Sequence, residues 1–267
     1  MDALIAGRAL DVVGRLEDRR IEGQGTPESA WRTWAGLRAI PTVPADELAS
    51  AGGRVIVVAP HPDDEVLGCG GTLAMLARRG RDVRVVGVTD GEACYPGHAT
   101  LAPSQLARIR REERAVGLSR LGLPRPSSLL GHPDGQIDED RLVEQLWALV
   151  GRHDTLLATW RRDGHPDHEV AGRAAARVAA SIGCALWEFP VWMWHWAAPD
   201  DARVPWRRLR AVGLDPDAQE RKSHAVAAHA SQLKAPLPSH TEPILPGWAL
   251  ARLLRSSEVF FAPEHDA

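Results

Sequence analysis

Residues 54–65 read RVIVVAPHPDDE, an apolar, largely β-branched run that ends in two prolines, a histidine and three acids. An unbroken apolar run of strand length predicts a strand buried on both faces, the pattern of a parallel sheet. Glu65–Arg79 follows with Leu67, Leu73 and Leu76 at helical spacing and stops at Gly80, a residue suited to a helix C-cap. Val83–Thr89 (VRVVGVT) is a second apolar run. Strand, helix and strand in succession make a βαβ unit, which is right-handed with parallel strands.

The alternation continues outward from there. Ser104–Leu121 is amphipathic through Leu106, Ile109 and Val116, and Ser127–Leu130 is a short strand candidate. Asp138 is placed to cap a helix carrying Leu142, Leu146 and Leu149. Thr155–Trp160 reads as a strand, Asp167–Ile182 as a helix with Gly183 behind it, and Ala185–Phe189 as one more strand. The fold class this supports is α/β: a Rossmann-like, doubly wound, mostly parallel sheet with helices on both faces. After Pro190 the regularity fades into a tryptophan-rich stretch. Trp192, Trp194 and Trp196 alternate there, which predicts an extended segment with one aromatic face. Helices are expected at Ala218–Leu233 and Gly247–Leu254. Upstream, residues 1–52 read as a helical N-terminal extension: Leu4, Ala9, Leu10, Val13 and Leu16 are periodic, Thr26-Pro27 predicts an N-cap and first helical position, and Trp31, Trp34 and Leu37 share a face. With no Ser/Gly linker, residues 53–267 are expected to form one domain.

Composition removes several function classes. Thirty-two basic against thirty-five acidic residues leave a formal charge of −3, no footprint for nucleic acid or an anionic membrane. Cys69, Cys94 and Cys184 form no CxxC pair, so neither a disulfide framework nor a cysteine-rich zinc module is expected. Lys222 and Lys234 are the only lysines, and neither sits in a phosphate-binding GxxxxGK loop. The first twenty residues mix acids and arginines, unlike a signal peptide or a membrane span. The expectation is a cytoplasmic protein acting on a small molecule.

Chemistry concentrates at two strand ends. Pro60-His61-Pro62-Asp63-Asp64-Glu65 follows the first strand, and ligands of open α/β sheets bind outside the carboxyl ends of strands. A capping role explains one acid but not three beside a histidine. Gly164-His165-Pro166-Asp167-His168 occupies the same position after TLLATW. If the two turns converge, they offer nitrogen and oxygen ligands of the kind that hold a catalytic zinc with one position open, although other divalent ions accept the same donors.

HPDDE after a buried strand, the following GCGGTLA (68–74), and the later HPDH resemble the PIG-L/LmbE-like de-N-acetylases over about residues 54–182. That resemblance implies removal of acetyl groups from N-acetylglucosamine-type amines by a zinc enzyme of Rossmann-like fold. By motif position it implies His61, Asp64 and His168 as metal ligands, Asp63 as general base and His165 facing the substrate carbonyl. A protonated His165 would act as a cationic oxyanion donor. Glu92, Arg110 and Asp134 match substrate-side motifs of the family. Each also has a plainer reading: a solvated turn, an i, i+3 pair with Glu113, and an Asp-Gly turn. Some family members carry a tyrosine before HPDH, where this chain has Trp160-Arg161-Arg162-Asp163-Gly164; its only tyrosine is Tyr95. His229 and Gln232 match a C-terminal motif for which a structural polar contact is expected. The tryptophans are read as packing, or alternatively as a stacking surface for a sugar. Two other functions remain in view. One is a non-catalytic sugar-binding module. The other is a dinucleotide-binding oxidoreductase, disfavoured because Leu73 replaces the third glycine of GxGxxG and acids crowd the phosphate position. The acetylated molecule, the oligomeric state and the role of residues 1–50 are not encoded in any motif.

Overall fold

The computed structural model describes residues 19–98, 101–124, 128–235 and 242–264; the periodic stretch 4–16 lies outside them. Seven strands form one sheet: β1 Val55–Ala59, β2 Val83–Gly87, β3 Ser128–Leu129, β4 Thr155–Thr159, β5 Ala185–Phe189, β6 Leu209–Gly213 and β7 Ser257–Phe261. Their order is β3-β2-β1-β4-β5-β7-β6. The first five pair in parallel, and β7 joins β5 and β6 antiparallel.

The alternation expected of a two-faced sheet is visible in β1. Val55, Val57 and Ala59 pack with Val66, Leu73, Leu76 and Phe189 on one face. Ile56 and Val58 pack with Leu142, Leu146, Ala171 and Val178 on the other. Helix Asp64–Arg78 covers the first face and helices Glu139–Trp147 and Pro166–Ile182 the second. Asp138 caps its helix by accepting the Arg141 N–H (3.0 Å), and Gly183 ends the Pro166–Ile182 helix at φ 75°.

The chain winds from β1 outward to β3, then crosses back over β1 to β4. Val55 to Val58 lie level with Thr155 to Ala158, so the carboxyl ends of β1 and β4 open side by side. This is the point of strand-order reversal where open α/β sheets bind ligands.

Four local expectations are corrected. Strands β6 and β7 were not expected: Arg210 and Glu258 interrupt their apolar pattern, and Glu258 is buried only because partners satisfy it. It receives Lys222 Nζ (2.7 Å) and the N–H groups of Gly71 (2.9 Å) and Thr72 (2.7 Å). The expected helix 218–233 is two, Pro216–Val226 and Ala230–Leu233, with His229 between them. The alternating tryptophans are not extended: Trp194 and Trp196 lie on a short helix, Met193–Trp196, with Trp192 at its N-cap, and each ring finds a different partner instead of one common face. Finally, Pro27 rather than Thr26 occupies the N-cap of helix Glu28–Thr33; the Thr26 hydroxyl donates to the Ala197 carbonyl (2.6 Å). Trp31, Ala45 and Leu48 belong to the same apolar cluster as β1. Among the described residues no helix is long and apolar enough to cross a membrane.

Candidate functional site

Three of the residues singled out by motif meet at the strand ends. His61 Nδ1 lies 3.3 Å from His168 Nε2 and 3.2 Å from Asp64 Oδ2, while His168 Nε2 lies 3.2 Å from Asp64 Oδ1. The outer nitrogens are committed elsewhere. His168 Nδ1 faces Asp163 Oδ2 (2.8 Å), and His61 Nε2 faces Asp167 Oδ2 (3.1 Å) and Asp134 Oδ1 (3.2 Å). An ionised carboxylate only accepts, so these outer nitrogens carry the protons. The inner nitrogens therefore turn lone pairs toward one another and toward the Asp64 carboxylate. Such a set is stable only around a cation. Ligands of a tetrahedral zinc at 2.0–2.1 Å stand about 3.3 Å apart, which matches these separations. The residues fit a divalent ion.

The protonation equilibria say the same. Burial would lower the basicity of both histidines, but carboxylates reverse it: Asp134, Asp167 and Asp64 hold His61 well above the usual imidazole range, and Asp64 and Asp163 push His168 up to about 9. Burial would raise Asp64, yet His168 and His61 hold it well below the usual carboxylate range. Without a metal, protons supply the positive charge this buried acidic cluster demands.

Asp63 is different from its neighbour. It points at no imidazole of the trio but pairs with Arg110 (3.2 Å), whose other amino group donates to the Gly91 carbonyl (2.8 Å). Burial pushes Asp63 up to about 7 despite Arg110, close to neutrality for a proton carrier. Arg110 is thus not engaged with Glu113, which instead accepts the Ser231 N–H and hydroxyl.

His165 lies 4.8 Å, ring to ring, from both His61 and His168, and its nitrogen is within ligand reach of theirs. Burial, then the charges on His168 and His61, lower it to about 3, so it is neutral rather than the cationic donor expected. Its Nδ1 accepts the Asp167 N–H (3.3 Å), which leaves the proton on Nε2.

These groups line a cavity of about 240 Å³ together with Cys94, Asp134, Gly135 and Gln232 on the polar side. Leu67, Val191, Trp192, Ile244 and Leu245 form the apolar side. Asp134 accepts the Ala93 N–H (2.8 Å) and is lowered to about 2: burial opposes this, and the hydrogen bond and charge of His61 outweigh it. Glu92 sits behind Asp134, accepting its N–H (3.1 Å). Tyr95 donates to the Ser231 carbonyl (2.9 Å). His229 is buried against Gly117 and lowered to about 3 by burial and by Arg110 and Arg114. Of the tryptophans, Trp192 reaches the cavity, whereas Trp194 packs edge-on against Trp31 and Trp196 stacks near Trp160.

Sequence reasoning missed Asp163 and Asp167. Asp167 lies inside the HPDH motif but reads as a helix first-turn acid. Asp163 is fully buried and accepts the N–H groups of Val191 (3.0 Å), Trp192 (2.9 Å) and Met193 (2.9 Å) besides His168. Its one sequence signal is an acid five residues before a ligand histidine, too common to single out.

The family model for GlcNAc-PI de-N-acetylase (PIG-L) matches residues 56–179, nearly the span over which the motifs were read. A 1D-myo-inositol 2-acetamido-2-deoxy-alpha-D-glucopyranoside deacetylase of Corynebacterium diphtheriae is 32% identical over 225 residues, covering 68% of this chain and 77% of that protein. Among solved structures, the conserved protein TT1542 of Thermus thermophilus matches with a TM-score of 0.57 at 26% identity, over 80% of this chain and 95% of that one. The N,N'-diacetylchitobiose deacetylase of Pyrococcus horikoshii shares the fold with a TM-score of 0.55 at 24% identity, over 67% and 70% of the two chains.

Proposed function

The chain belongs to the PIG-L family of de-N-acetylases, and on that premise we propose that it is a metal-dependent hydrolase that releases acetate from an N-acetylated amino sugar. The observation that carries the proposal is the cluster of His61, Asp64 and His168, in which the two inner nitrogens lie 3.3 Å apart and each lies 3.2 Å from a different oxygen of the Asp64 carboxylate, with Asp63 beside it in the cavity. A zinc ion, or another divalent ion taking nitrogen and oxygen ligands, held by these three residues would supply Lewis-acid activation of water and of the amide oxygen.

The remaining steps fall to the chain's own residues. Asp63, oriented by Arg110, takes a proton as water adds to the amide carbon, then returns it to the nitrogen as the C–N bond breaks to acetate and free amine. His165 donates its Nε2–H to the oxygen that gains charge in the tetrahedral intermediate. A neutral imidazole does this without placing a further positive charge beside the divalent ion that His61, Asp64 and His168 would hold. Asp134, Arg110 and the Glu92-braced turn face sugar hydroxyls, and Trp192 offers the sugar an apolar face.

The cavity lies below the about 300–1,000 Å³ usual for drug-sized ligands, which suits one sugar ring with its aglycone outside. With the name of the Corynebacterium relative, this favours a glycoside of 2-acetamido-2-deoxyglucose. Residues 53–267 supply every group involved and are taken as the catalytic domain. A non-catalytic binding module has no use for a buried acid held near neutrality. The test is elemental analysis of the purified protein, combined with acetate and amine release from a panel of N-acetylglucosamine glycosides. We expect a stoichiometric divalent ion and equimolar products, abolished by chelation and restored by zinc. Protein that binds no divalent ion, or turnover indifferent to chelation, overturns the proposal.

A further inference from the structure

Asp163 joins two parts of the site that neither motif connects. One carboxylate oxygen accepts the Nδ1–H of His168 at 2.8 Å, and between them the two oxygens accept three consecutive N–H groups from Val191, Trp192 and Met193. Its carbonyl also accepts the indole N–H of Trp196 (2.7 Å). Val191 and Trp192 form part of the apolar wall of the cavity. The residue is fully buried, so no water substitutes for any of these partners.

We propose that Asp163 is a positioning residue that ties metal occupancy at His168 to the placement of the Trp192 wall, so that the ion-holding and sugar-packing halves of the site assemble together. A buried carboxylate shared by four donors is held only if the donors stay in register. When His168 gives its Nε2 lone pair to a cation, its Nδ1–H becomes a stronger donor and draws on the carboxylate that the Trp192 backbone also uses. Segment 191–193 supplies three N–H donors at the entrance to a helix of four residues, too short to hold its own position. The carboxylate fixes it instead.

This rests on the metal reading above, and the experiment separates the two. Acrylamide quenching of Trp192 is read as the difference between wild type and Trp192→Phe, with and without zinc. Zinc bound stoichiometrically with a clear drop in Trp192 quenching supports the coupling; zinc bound with unchanged quenching overturns it. Absence of zinc binding in wild type removes the metal reading itself. Asp163→Asn keeps one acceptor for His168 but offers the backbone donors a poorer partner. It should lose about 10–100-fold in zinc affinity by chelator competition. At saturating zinc its KM should rise several-fold more than kcat falls. An Asp163→Asn protein with wild-type zinc affinity, or with KM unchanged once saturated, also overturns the proposal. If that variant does not fold, the wild-type quenching measurement decides alone.

Discussion

The turns after β1 and β4 are built alike and charged differently. Each follows a buried strand, contains proline, opens a helix and brings histidine to the same spot, His61 from the first and His165 and His168 from the second. The β1 turn surrounds its ligands with acids tied to arginines: Asp63 to Arg110, and Glu65 to Arg114 at 3.0 Å. The β4 turn places a neutral histidine, His165, where the β1 turn has an acid held near neutrality. On the proposed function, one turn would move protons and the other would offer a fixed donor. Burial gives the two residues opposite character because it pushes a carboxyl up and an imidazole down.

Removing the shared element should have the largest effect. His168→Ala or Asp64→Ala breaks the cluster, and each should lower zinc affinity by more than the about 10–100-fold that loss of an outer partner costs. Turnover should fall to background, with isothermal titration and acetate assay as the readouts. The next change addresses the β1 turn alone. Asp63→Asn should keep zinc and lose kcat by about 10²–10⁴, the usual worth of a positioned proton carrier. Near-full turnover in a zinc-loaded Asp63→Asn would remove Asp63 from its role. The β4 counterpart, His165→Ala, should lose about 10²–10³ in kcat with zinc affinity retained. If it loses zinc instead, His165 is a ligand, and the two turns are more alike than their charges indicate.

Both turns were legible in the sequence because each combines two local signals, an apolar run and a polar proline turn, whose meaning does not depend on distant partners. Ala185–Phe189 was read to the residue for the same reason. What failed depends on partners far along the chain. Glu258 hid β7 because its charge makes sense only with Lys222 and the Gly71 and Thr72 amides around it. Asp163 was invisible because its three backbone donors lie twenty-eight to thirty residues downstream. The lowered basicity of His165 follows first from burial and then from the charges on His168 and His61, and only the fold supplies either.

The smallest expected effect tests why the two turns reach the same point at all. Each proposed ligand on a helix is followed four residues later by a glycine: Gly68 after Asp64, and Gly172 after His168. A Cβ on Gly172 would stand 2.5 Å from the Thr159 carbonyl oxygen and 2.6 Å from the Arg161 nitrogen, both backbone of the strand end. A Cβ on Gly68 would stand 2.1 Å from the Phe189 ring. Backbone at the end of β4 has nowhere to move, whereas a ring can tilt. Overpacking costs about 1–3 kcal/mol, and alanine recovers up to about 1 kcal/mol of helix propensity. Gly172→Ala should therefore lose about 2 kcal/mol in urea unfolding and weaken zinc binding by lifting His168 off the strand end. Gly68→Ala should lose about 1 kcal/mol and leave zinc affinity nearly intact. The reverse ranking would mean that the Phe189 ring, not the β4 backbone, sets the height of the ligands above the sheet.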